Sequence, residues 1–186
     1  MPFFNTSTEL LYNLASLSIE GCSSLTNLTS FPLSYSLTLL KLSHGNLAQV
    51  SKFEYAPYLE NLDLSWNHLR NLPIDFFQDL TYLQSLDLSG NDFVHLDLAL
   101  FPPQIFELKI DDLIHLESLE FSAKSKTELK TISAQNNVNL SVFCPWILWN
   151  SPLLQDLNLK NCPKLGKIVM FSKFNHNSVK IQSKFT

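Results

Sequence analysis

The chain is short of glycine, cysteine and charge. Only 4 of its 186 residues are Gly, too few for a glycine-rich phosphate loop or a collagen-like strand. Three cysteines is an odd count, which excludes a framework in which every thiol is paired. Charged residues make up 16% of the chain, and their arrangement matches no nucleic-acid-binding pattern. No apolar run reaches the ~18 residues that a membrane-spanning helix requires. Residues 1–17 hold neither a basic segment nor a compact hydrophobic stretch, so no secretory signal is expected there. On this reading the protein is either cytosolic or a piece whose signal lies elsewhere. GxSxG, the phosphate-loop pattern ending in GKS or GKT, and CxxC are all missing. The five histidines, His44, His68, His95, His115 and His176, never fall at HxxxH spacing. Neither catalysis, a bound metal nor a cofactor is expected.

Apolar material is ample. Hydrophobic residues account for 45% of the chain, and 14 Phe stand against 5 Tyr and 3 Trp. The net charge of −4 is unevenly spread. All 17 acids and 7 of the 13 basic residues precede Lys160, while the six lysines from Lys160 onward have no acid among them. Such a basic tail reads as a solvated surface.

The ordering principle is self-similarity. Leu59-Glu-Asn-Leu62-Asp-Leu64-Ser-Trp-Asn67-His-Leu69 and Leu83-Gln-Ser-Leu86-Asp-Leu88-Ser-Gly-Asn91-Asp-Phe93 both fit LxxLxLxxNxL, 24 residues apart. Weaker copies are Leu14-Leu17-Ile19-Cys22, Leu37-Leu40-Leu42-Gly45-Leu47, Ile105-Leu108-Ile110-Leu113, Leu129-Ile132-Ala134-Asn137 and Leu154-Leu157-Leu159-Cys162. His176-Val179-Ile181 reads as a degraded last copy. Leu116-Glu-Ser-Leu119-Glu-Phe121 mimics the motif but follows Ile105 too soon, and is expected to be the returning half of the fifth unit.

Alternation in LxL buries every second side chain of a short strand. The consensus Asn turns the chain and can satisfy backbone groups inside that turn. No copy closes its own core, so stability must come from neighbours. The expected fold is an α/β-type solenoid, a horseshoe with a parallel concave sheet of seven or eight short strands and mostly irregular convex segments. Residues 1–186 form one domain on this reading, with units starting near 14, 37, 59, 83, 105, 129, 154 and 176. Convex rings at Phe31, Phe53 or Tyr55, Phe101, Phe121, Phe143 and Phe171, together with Leu72-Pro73-Ile-Asp-Phe76-Phe77, would stack as a spine.

The repeated motif resembles leucine-rich repeat proteins. The string from Leu59 to Phe93, with the LPxxxFxxLxxL return from Leu72 to Leu83, is similar to the ectodomains of Toll and Toll-like receptors. About 35 residues match closely. The cysteine-rich caps of that family, its membrane span and its cytoplasmic signalling domain are not seen, and the chain reads as a receptor fragment. The resemblance implies a non-catalytic module that binds a protein ligand or co-receptor in innate immune signalling, on the extracellular face of a membrane reached through segments outside this chain. It also implies receptor dimerisation. Cys22 and Cys162, standing where Asn is expected, are similar instead to intracellular plant resistance and F-box proteins, which would imply a cytoplasmic scaffold. A structural matrix or decoy binding protein is a third class.

Positions three, five, seven and eight of each unit are expected on the concave face or its rim. The candidates for partner contact are Lys41, His44, Asp63, Trp66, Asp87, Lys109, Asp111, Asp112 and Lys160, with Trp66 the foremost because exposed aromatics anchor interfaces. Asn5, Asn27 and Asn139 head N-glycosylation sequons, no more than composition alone supplies. Cys22 and Cys162, six strands apart at ~4.8 Å each, lie too far apart to form a disulfide.

Overall fold

A computed structural model describes residues 13–28, 34–53, 56–122, 126–165 and 180–182. Asn5, Phe31, Tyr55, Phe171, His176 and Val179 lie outside them.

In chain order the elements are β1 (Ser16–Glu20), β2 (Asn27–Leu28), β3 (Leu39–Ser43), β4 (Gln49–Val50), β5 (Asn61–Asp63), β6 (Ser85–Asp87) and β7 (His95–Asp97), then β8 (Glu107–Lys109), β9 (Ser118–Glu120), β10 (Thr131–Ser133), β11 (Val142–Phe143), α1 (Trp146–Asn150), β12 (Asp156–Asn158) and β13 (Lys180–Gln182). Eight of these strands form one sheet in the order β1-β3-β5-β6-β8-β10-β12-β13. Every pair in it is parallel, and the second residue of each strand faces its counterpart: Leu17, Leu40, Leu62, Leu86, Leu108, Ile132, Leu157 and Ile181 stand in one row. The fold is therefore a parallel β-solenoid, and helix among the described residues is confined to α1 and a short 3-10 turn at Leu98–Leu100.

Two smaller sheets run along the convex side. One is β11-β9-β7 and the other β2-β4, both parallel. The motif mimic at Leu116–Phe121 contributes β9, pairing with β7 and β11, so it is the returning half of its turn. Asp97 links this region together by accepting the backbone N–H groups of Ala99 and Ser122, 2.9 and 3.0 Å away. Burial opposes ionisation of Asp97, but these bonds prevail and hold its carboxyl below the usual range.

The core lies between the front and back layers. Leu40, Leu86, Leu108, Ile132 and Leu157 are fully enclosed, each flanked by a turn on either side. Leu14, Leu17, Ile19 and Leu25 of the first described turn are only partly buried. Full burial of a Leu is worth ~1.5–3 kcal/mol, so the inner turns gain most from stacking. Convex rings form the expected spine over the middle of the chain: Phe53 to Phe76 at 5.1 Å, Phe76 to Phe77 at 4.9 Å, and Phe77 to Phe101 at 5.3 Å. Phe121 is buried beside them and Phe143 half-buried.

Candidate concave interface

The turn after each front strand builds the edge of the concave face. Its ninth position holds the asparagine. Asn91 accepts the backbone N–H of Leu69 at 3.0 Å and donates to the carbonyls of Leu64 at 3.0 Å and Leu88 at 2.9 Å. Asn67 repeats this with Leu47, Leu42 and Leu64, and Asn137 with Leu113, Ile110 and Ala134. Each buried amide thus bridges its own turn to the preceding one. Cys162 fills the same niche, its thiol directed at the Ala134 carbonyl at 3.2 Å, and burial raises its pKa. Cys22, Cys144 and Cys162 are all free thiols.

One residue earlier, the backbone is left-handed in every described turn: Gly21, His44, Trp66, Gly90, Asp112, Asn136 and Asn161 all have φ between 55° and 68°. Gly, Asn and Asp enter this region readily. His is also found there, but Trp rarely is, and a bulky residue there carries strain on the order of 1–3 kcal/mol. The row is continuous. His44 stacks on Trp66 with centroids 5.9 Å apart and planes 19° apart. The indole leans over Gly90, where an added Cβ would come within 2.6 Å of it. Farther along, Asn136 donates to Asp112 at 2.9 Å and Asn161 to Asn136 at 2.8 Å.

The strand positions carry the charge. Lys41 pairs with Glu20 at 2.8 Å and lies 3.8 Å from Asp63. That contact lowers the pKa of Glu20 and raises that of Lys41. Asp63 stands opposite Asp87 in register, and Asp87 opposite Lys109. Burial pushes the Asp87 carboxyl above the usual carboxylate range, although Ser89 donates to it. Lys109 meets Glu107 at 3.2 Å. Asp111 receives Ser133 at 2.7 Å and the Gln135 N–H at 2.8 Å. Lys160, near the far end, donates its backbone N–H to the Asn158 side chain at 3.2 Å.

Ser43, Ser65 and Ser89, expected at the surface with their neighbours, are buried instead. Ser65 bonds to Asp63, and the Ser89 hydroxyl accepts the Asp111 N–H, so these serines close the turn from within. No group of His, Cys, Asp or Glu suited to a metal occurs among the described residues. A hollow of about 480 Å³ lies on the opposite, convex side, lined by Ile74, Phe77, Leu100, Phe101 and Pro102. Asp75 is its single ionisable lining residue.

Two comparisons agree with this geometry. The leucine rich repeat family matches residues 57–112, and a chain of the Toll–Spatzle complex from Drosophila matches over 94% of this chain with a TM-score of 0.58 and 21% identity. Residues 57–112 carry the leucine-rich repeat, and the chain shares its fold with that Toll-complex chain. The leucine-rich repeat domain of APL1B matches over 81% of the chain at 24% identity, with a TM-score of 0.45. InlJ of Listeria monocytogenes matches over 83% at 17% identity, with a TM-score of 0.33. The chain spans 27% of the Toll-complex chain, 50% of the APL1B domain and 52% of InlJ. No curated protein matches it. A leucine-rich repeat domain of this kind fits a protein-binding module, and no helix among the described residues is long and apolar enough to cross a membrane.

Proposed function

We propose that this chain is part of a Toll-like receptor ectodomain that recognises a protein ligand or co-receptor across its concave sheet, without catalysis. Residues 1–186 act as one repeat domain in this reading, on the extracellular face of a membrane receptor that signals in innate immunity or development. The observation that carries it is the concave face. The asparagine ladder and the strand pairs satisfy the backbone internally, and Lys41, Asp63, Asp87 and Lys109, held by Glu20, Ser65, Ser89 and Glu107, line the sheet as a fixed, partly exposed row of charges that a partner can meet. The fold shared with a chain of the Toll–Spatzle complex supports a protein as that partner.

The test is a titration of immobilised chain with Spatzle. The expected result is saturable binding that is lost in Asp63→Ala/Asp87→Ala/Lys109→Ala and kept in the convex variant Ile74→Ser/Leu100→Ser. Binding lost only in the convex variant overturns the concave assignment. Absence of any binding overturns the Toll-like one.

A further inference from the structure

We propose that the Trp66 rim is the anchor for a basic loop of the partner protein, the stem of an arginine or lysine lying along the indole and its head reaching Asp63, Asp87 and Asp112. This rests on reading the concave face as a protein-binding surface, and adds the chemistry of what binds there.

The ring has no evident task in the fold. It is 47% exposed and sits at a backbone position with φ of 55°, where the other turns, His44 excepted, hold Gly, Asp or Asn. Gly90 gives it room: any side chain there would collide with the indole at 2.6 Å. His44 holds it from the other side. The indole is thus fixed before any partner arrives, which lowers the ordering cost of binding.

Charge selects the occupant. The concave and rim positions on β5, β6 and β8 and in the turns after them carry Asp63, Asp87, Glu107, Asp111 and Asp112 against Lys109 alone, with Lys41 next on β3. Asp63 lies three residues before Trp66 in its own turn and pairs in register with Asp87. Asp112 occupies the same rim row two strands farther on, roughly 10 Å at the usual strand spacing. A long cationic side chain matches this layout, since its methylenes cover apolar surface while its head seeks carboxylates. A neutral sugar fits less well, because Asn136 and Asn161 already spend amide donors on Asp112 and on each other.

The experiment selects a displayed library of cyclic peptides on the folded chain. Peptides that compete with one another for the concave face should be enriched at least twofold in Arg and Lys over the starting library. A synthetic representative should lose at least tenfold in affinity on Trp66→Asn, and should weaken as salt rises. Trp66→Asn installs the residue type of the sixth and seventh turns, and Trp66→Gly that of the first and fourth; relieved of the strain at that φ, both should melt at or above the thermal midpoint of the parent. Basic-peptide binding that ignores both replacements in a folded chain overturns the proposal, as does unfolding of both variants, which would assign the ring to the core. Selection of neutral or acidic peptides on the concave face overturns the proposal and spares the concave reading. Peptides that map only to the convex side overturn both.

Discussion

Replacing Asn91 by alanine removes a side chain that is 1% exposed and makes three short bonds within the turn. The Leu69 N–H and the Leu88 carbonyl lose this partner at once, and the Leu64 carbonyl is left with the Asn67 amide alone. A buried group left without one costs about 1–3 kcal/mol, and water entering the small void recovers part of that. The expected loss is therefore about 3–5 kcal/mol, a large share of the ~5–15 kcal/mol that holds a typical domain together. Because two of the bonds cross to the preceding turn, the loss should spread to both. Urea denaturation followed by circular dichroism measures the total, and hydrogen exchange at the Leu69 amide reports the local bond. Asn91→Asp sharpens the test. It retains an acceptor for Leu69 but sets a carboxylate against two carbonyls, so it should be at least as damaging at neutral pH and recover in acid, when a protonated oxygen can donate once more. An Asn91→Ala protein within 1 kcal/mol of the parent, with Leu69 still protected, would refute the ladder as a source of stability.

Four other outcomes are expected of the same fold. Burial raises the Asp87 pKa, so the folded chain binds that proton more readily than the unfolded one and stability falls as pH rises through the window above the ordinary ~3.9; Asp87→Asn should melt at or above the parent at pH 7 and lose that advantage near pH 3 in a thermal-melt series. Phe76→Ala empties a fully buried site between Phe53 and Phe77 and should cost about 3–5 kcal/mol in the same denaturation assay. Gly90→Ala places a Cβ against the indole at a left-handed φ of 67°; it should lower the thermal midpoint and shift the tryptophan emission. Expressed in glycosylating cells, the exposed Asn27 should carry a glycan, whereas Asn139, which donates to the Ile114 carbonyl at 2.7 Å and accepts from Lys164 at 2.6 Å, should stay bare in peptide mass spectrometry.

The front sheet was readable because its signal repeats. Two near-perfect units set the phase, and the second anchor of each copy from Leu17 to Leu157 stands in the row seen in the pairing; the degraded eighth copy is out of phase by two, because Ile181, its third anchor, is the residue that faces Leu157. The back sheets were not readable as sheets. β2, β4 and β11 are two residues long, too short for alternation to register, and β9 copies the front motif while pairing on the other side. The rim resisted for a different reason. Gly, Asn, Asp and His are compatible with a left-handed turn by their chemistry, but Trp66 announces the opposite, and only its place in the row reveals that it shares the backbone of the other turns. The serines at 43, 65 and 89 hold the seventh position, which the unit's spacing places on the concave face or rim, but the turn folds that position inward, where hydrogen bonds inside the turn allow a serine to be buried. The fifth unit shows the limit of counting. Leu113 stands where Asn is expected, yet its N–H reaches Asn137 just as Leu47 and Leu69 reach theirs.

Positions eight and nine of each turn are neighbours under opposite constraints. The ninth must donate into the carbonyls of two turns, so it is Asn wherever the ladder is strong, and the Cys162 thiol retains only a weaker version of that contact. The eighth must only tolerate a positive φ, and across seven turns it holds Gly, His, Trp, Gly, Asp, Asn and Asn. A change at the ninth removes bonds, whereas a change at the eighth alters strain and presents a different side chain to solvent. The chemistry of the rim can therefore vary turn by turn while the solenoid beneath it stays intact. An anchor such as Trp66 belongs at the eighth position because that is where an unfavourable residue does least harm to the fold.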